Sequence, residues 1–345
     1  MSAAFSHVVD ELVRAAIVED QSFSSLLPQT MREAEAATAA DLSAVMPRLA
    51  EGITEAPPNL GGWLAVLGGA WIENGADPSA AGRAVVARLA EVAAAAIAFG
   101  ETWEEATGGK PPGMEDEQPS QQIFDTVRPS LGDGAVSAMM SWFALPQFAM
   151  AATTALTMSP GVRAGVEERD LTAYAAERVS KYLPQMEHVR DLLRVLDGER
   201  LLVLDRASRK GWTVSISGIG DNFQLHMLLA GALAGRPGGM PGTPPEPEII
   251  ACFLDTDVPP GRPVVSSPWN LVDAHGAWIY NEGVPADVPA VNGTRVIVLD
   301  PPPYTRSFPA GRRFHMPAAL KLEGVHLPED LAGWWPHIAP AAAPH

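Results

Sequence analysis

The strongest constraint on this chain is a change of apolar period near residue 199. Before it, apolar residues recur at helical spacing. After it, the stretch ERLLVLDRASRKGWTVSISGIGDNFQLHMLLAGALAG (199–235) reads as strand, tight turn, strand, glycine corner and helix. Residues 201–204 and 212–216 have strand composition, and RASRKG between them can close a hairpin. Gly218 and Gly220 free the backbone at the corner, and Asp221 or Asn222 can cap a helix over 221–234. Proline usage follows the same divide: the first two hundred residues hold only 12 of the 32 prolines. The expected fold class is therefore α+β: an N-terminal irregular all-helical array, then a smaller loop-rich α+β region with a small, mainly antiparallel sheet. The expected boundaries are 1–197 for the helical domain, 198–338 for the α+β domain and 339–345 for a frayed tail.

In the first region Phe5, Val8, Val9, Leu12, Ala15 and Ala16 share one helical face, as do Val85, Val86, Leu89, Val92, Ala93 and Ile97. Asn74-Gly75 is a helix stop, and Pro78 suits the first turn of the next helix. Residues 108–120, GGKPPGMEDEQPS, read as a solvent loop. Residues 134–162 carry no charge and are long enough to span a bilayer. Pro146, Gln147 and the single basic flank Arg163 favour instead a pair of buried helices broken at Leu145-Pro146. No strict repeat period is visible.

In the second region, strands are expected at 248–254, 277–280 and 294–299. Residues 324–340 are expected to form an anchor helix whose tryptophans pack back on the domain. Trp212, Trp269, Trp278, Trp334 and Trp335 either line a ligand pocket or supply core area, and core is the preferred reading.

Composition narrows the function. The net charge of −17 repels a phosphate backbone, so no nucleic-acid partner is expected. Cys252 is the single cysteine, so neither an intrachain disulfide nor a thiolate cluster can form; it reads as a small buried hydrophobe. The first twenty residues lack the charged-then-apolar pattern of a secretory signal, so a bacterial-type cytoplasm is expected, with no membrane span.

Several apolar runs end in aspartate: Asp205, Asp255 with Asp257, Asp300, and more loosely Asp273 beside His275. On an extended chain, acids two apart point the same way, so Asp255 and Asp257 are the candidate metal ligands, for Mg²⁺ or Mn²⁺. Asp255, Asp257, His275 and Asp300 are the candidate catalytic residues. The Asp255-Thr256-Asp257 tripeptide resembles the short metal motif of some glycosyltransferases and, more distantly, the haloacid dehalogenase phosphatase signature. Pro259 stands where the latter wants Thr or Val. Turn chemistry competes for the same residues, because aspartate before a Pro-rich loop makes Asx turns. The corner at Gly218 lacks both the dinucleotide fingerprint and a P-loop, and no Gly-x-Ser-x-Gly elbow is present. His226, His315 and His326 read as structural histidines.

Two functions follow. The preferred one is a soluble binding or scaffold protein that uses a helical groove and the loop-rich module to hold a protein or small-molecule partner. The alternative is a divalent-metal-dependent transferase or hydrolase built on the strand-end acids. Convergence of those acids in one cleft decides between them.

Overall fold

A computed structural model describes residues 3–261 and 263–343. The chain falls into two compact units, Met1–Leu193 and Arg194–His345. The first is helical. Its elements are α1 (Ala3–Ile17), α2 (Phe23–Ala34), α3 (Ala39–Glu55), α4 (Pro58–Glu73), α5 (Ala81–Thr107), α6 (Gln121–Leu131), α7 (Ala135–Met158), α8 (Pro160–Ala164), α9 (Arg169–Val179) and α10 (Met186–Leu193). Local chemistry sets many of their ends. Thr38 and Asp41 form a reciprocal capping box on α3, Ser120 caps α6, and Gly108 ends α5 in the left-handed region.

The centre of this unit is α7, laid against α4 and α5. Small residues set how near the helices come. A Cβ on Gly62 would meet Gln147 Cβ at 3.3 Å, and one on Gly69 would meet Ala151 Cα at 3.3 Å. Gly100 of α5 leaves room for the rings of Trp142 and Tyr182, which a Cβ there would approach to 2.8 and 2.7 Å. This packing accounts for the charge-free stretch. Among the described residues one helix is long and apolar enough to cross a membrane, but 67% of its most apolar window is buried within the protein. The break expected at Pro146 does not occur, because α7 runs through it. Proline removes one backbone donor there. The Gln147 amide supplies others nearby, its nitrogen lying 3.2 Å from the Phe143 carbonyl oxygen and 2.9 Å from that of Ala144.

The second unit is built on a six-stranded mixed sheet. Its elements are β1 (Asp197–Asp205), β2 (Gly211–Ser217), α11 (Asn222–Leu233), α12 (Pro247–Leu254), β3 (Val264–Ser266), β4 (Asn270–Asp273), β5 (Ala290–Val291), β6 (Thr294–Asp300), β7 (Ser307–Pro309) and β8 (Ala319–His326). The sheet order is β4-β6-β1-β2-β8, with β5 beside β6, while β3 and β7 form a separate two-stranded pair. All these pairs are antiparallel except β1 with β6. Side chains alternate as the pleat requires. Leu201 and Val203 face α11 and α12, while Leu202 and Leu204 join Val296, Val298 and Leu331 on the other face.

Three expectations need correction here. Residues 248–254 are helix, not strand: Pro247 occupies a first-turn position, and Ile249, Ile250, Phe253 and Leu254 make a helical stripe against the core. No anchor helix forms near the end. Val325 and His326 belong to β8, and among the described residues only a 3-10 turn, Trp335–His337, follows. The segment expected to fray is tied down as far as residue 342, with Ala339 N donating to Ala274 O and Ala342 N to Gly276 O, both at 2.8 Å. Residues 344 and 345 lie outside the described residues.

At the glycine corner only Gly218 uses the left-handed region, at φ +67°; its Cβ would sit 2.2 Å from the Pro317 carbonyl oxygen. Gly220 meets the movable Phe314 ring instead, at 2.9 Å. Gly218→Ala is therefore expected to cost more than about 2 kcal/mol in urea unfolding, since strain and a backbone clash add. Gly220→Ala should cost clearly less. Equal stability of Gly218→Ala and the parent would contradict this account of the corner.

Candidate functional site

Asp205 and Asp300 lie side by side at the ends of β1 and β6, but Asp255, Asp257 and His275 do not join them. Asp255 is the C-cap of α12 rather than a strand end, so its side chain is not paired with Asp257 by a pleat. Asp257 is 92% exposed, with His315 Nδ1 4.0 Å away and equally in solvent. The Leu254 carbonyl accepts from Ala318 N, which places Asp255 where β8 begins, and β8 begins opposite the end of β2. That is the Asp197 end of β1. Asp300 lies at the other end, beside the β1 residue Asp205, about 26 Å along an eight-step strand. His275 follows β4, on the sheet edge opposite β8.

Three of the acids have local work. Asp205 Oδ2 accepts from Ser208 N at 2.9 Å in the hairpin turn. Asp273 Oδ1 accepts from His275 N and Ala277 N at 2.8 and 2.9 Å. Asp300 pairs with Arg206 at 2.7 Å. Among the described residues no group of three or more His, Cys, Asp or Glu side chains is placed to hold a metal.

The concave surfaces lie elsewhere. In the helical unit a groove of about 680 Å³ runs between α4 and α7. Asn59, Trp63 and Val66 supply one wall at helical spacing; Phe143, Gln147, Met150 and Thr154 supply the other. Residues 114–119 close one side, and Leu183, Gln185 and His188 complete it. The loop over 108–120 is not a free solvent loop on this face. Trp142 Nε1 donates to Pro112 O at 3.0 Å, and the Met114 side chain is buried. Trp63 and Met150 are 47% and 55% exposed, although both face the groove. Glu115 and Glu117 stand at its rim.

In the α+β unit a cavity of about 880 Å³ is lined by Phe223, Trp278, Tyr280, Tyr304, Arg306 and Phe308, among others. The loop over 280–283 is held by the first turn of α11. Asn222 N donates to Gly283 O, Phe223 N to Asn281 O, and Asn222 Nδ2 to Tyr280 O. These bonds satisfy donors that a helix start leaves open. Asp221 caps the same turn, accepting from Gln224 N at 2.8 Å, as the sequence indicated. Burial raises its carboxyl to about 6, against smaller downward pulls from that hydrogen bond and from Arg313. Behind it, His226 is fully buried, stacked at 6.4 Å on Trp269, with its pKa pushed down to about 3 by burial and then by Arg306. The ring is thus neutral at pH 7 and acts as an uncharged core group.

Sequence reasoning assigned Trp278 to the core and gave Tyr280, Tyr304 and Phe308 no role. Residues 277–280, expected as a strand, hold only an isolated bridge of Trp278 to Val272, and consecutive residues of 277–282 and 304–309 line the cavity.

No protein-family model matches this chain, and no curated protein or solved structure matches it significantly.

The Asp221 environment has a pH consequence. The folded protein holds this proton more tightly than the unfolded chain, whose carboxyl titrates near 3.8. Stability from this group is full below about pH 3.8 and is lost as pH rises to about 6. Asparagine keeps the cap acceptor without the charge. Asp221→Asn is expected to remove that loss, so its stability relative to the parent should rise between pH 4 and 6.5. A constant difference across that range, measured by urea unfolding, would contradict the assignment.

Proposed function

We propose that this chain is a non-catalytic, cytoplasmic binding protein, and that the groove between α4 and α7 holds a basic amphipathic helix of a partner protein. The supporting observation is the groove itself. It is about 680 Å³ and open, with Trp63 and Met150 left in contact with water. A tryptophan and a flexible thioether exposed together are costly in water and well suited to apolar anchors spaced i, i+3 or i+4, and i+7. Glu115 and Glu117 at the rim, on a chain of net charge −17, favour lysine and arginine flanking those anchors. The separation of Asp255 and Asp257 from Asp300 supports binding over metal chemistry. The one cysteine is free and buried, in keeping with a cytoplasmic setting.

The test is fluorescence anisotropy with a labelled Leu/Lys amphipathic 18-mer and a scrambled peptide of equal charge. The ordered peptide should bind the more tightly, and Trp63→Ala and Met150→Ala should each weaken it about tenfold, or about 1.4 kcal/mol. Equal binding of both peptides, or undiminished binding by both variants, would reject the groove.

A further inference from the structure

The α+β unit carries a second surface, independent of the helical groove. We propose that its aromatic cavity binds an extended proline-rich peptide of a partner protein, laid between Tyr280 and Tyr304 beside the chain's own segment 339–343.

The first argument is the segment already seated there. Ala339 precedes Pro340 and Ala343 precedes Pro344, and a residue before proline is pushed toward extended or polyproline geometry. Residues 339–343 form neither helix nor strand. Their backbone is read from outside: Ala339 N and Ala342 N donate to the turn after β4, and Trp278 Nε1 donates to Ala342 O at 3.1 Å. A polyproline helix has no internal hydrogen bonds and offers its carbonyls outward. An indole N–H on such a carbonyl, within a set of aromatic rings, is the chemistry that recognises it. Ala342 and Ala343 line the cavity, so the open remainder continues from a segment of this kind.

The second argument is the platform. Trp278 and Tyr304 lie 6.3 Å apart, and the Arg306 guanidinium sits 4.7 Å from one ring centre and 5.3 Å from the other. The cation–π contacts hold both rings in place, so little ordering is left for the peptide to supply. Phe223 and Phe308, 4.6 Å apart, add apolar lining. Tyr280 and Tyr304 are 79% and 56% exposed, with hydroxyls able to donate to further carbonyls.

The test is anisotropy of labelled decaproline with the full chain, against a Gly-Ser peptide of equal length. Decaproline should bind at least about tenfold more tightly. Tyr280→Ala and Tyr304→Ala should each weaken it about fivefold or more, with melting temperatures close to the parent's because both rings are largely in water. Tyr174→Ala, exposed on α9, should bind as the parent does. Equal affinity for the two peptides would overturn the proposal. So would undiminished binding by both tyrosine variants, or displacement of the probe by maltohexaose but not by unlabelled decaproline.

Discussion

Strand β1 is paired along both edges and buried on both faces, and the arrangement of the α+β unit depends on it. A strand in that position cannot leave a backbone donor or acceptor to water, so both ladders must be complete. The antiparallel ladder to β2 is local and closes through the hairpin. The parallel ladder to β6 joins residues about ninety positions apart, with Leu201 opposite Arg295. Everything between them therefore has to cross from one side of β1 to the other. Helices α11 and α12 make that crossing over one face. The other face is covered by the closing segment, where Leu331, Trp334 and Trp335 meet Leu202, Leu204 and Val298. Aspartates at the strand ends terminate the ladders by accepting turn N–H groups or pairing with arginine, which leaves them little freedom for chemistry.

The helical unit depends on close approach rather than on pairing. Glycine and alanine on α4, α5 and α7 bring backbones near enough for dispersion to accumulate along the whole of α7. The groove arises where large residues, Trp63 and Met150, interrupt those small ones. The same composition that looks membrane-like in sequence is a consequence of helices touching without side chains between them.

The start of α11 links fold and candidate site. Its open donors are satisfied by a cap and by the loop over 280–283. That loop is a tight turn closed by Gly283 N donating to Tyr280 O, and Trp278 and Tyr280 on its approach line the cavity. The buried neutral His226 and its hydrogen-bonding neighbour Asn281 mark a polar place in an otherwise apolar core.

Much of the frame was legible in residue order alone. The hairpin of β1 and β2, the cap at Asp221, β6 and the helical stripe of α5 are local: periodicity, a turn and a capping side chain decide them within a dozen residues. The α+β class follows from the change of period. Residues 248–254 show where local reading fails. An apolar run of that length suits strand or helix, and what decides is Gly231 of α11, which gives Ile250 a place to pack. Pro146 is the same lesson from the other side, since tertiary packing keeps α7 whole across a residue that ends isolated helices. The acids at 255, 257 and 300 carry the right chemistry for a metal, yet strand order sets them at opposite ends of one sheet, and order is a long-range property. The two concave surfaces were likewise beyond the sequence. Whether a tryptophan is core or platform depends on what covers it, and the covering residues are distant in the chain.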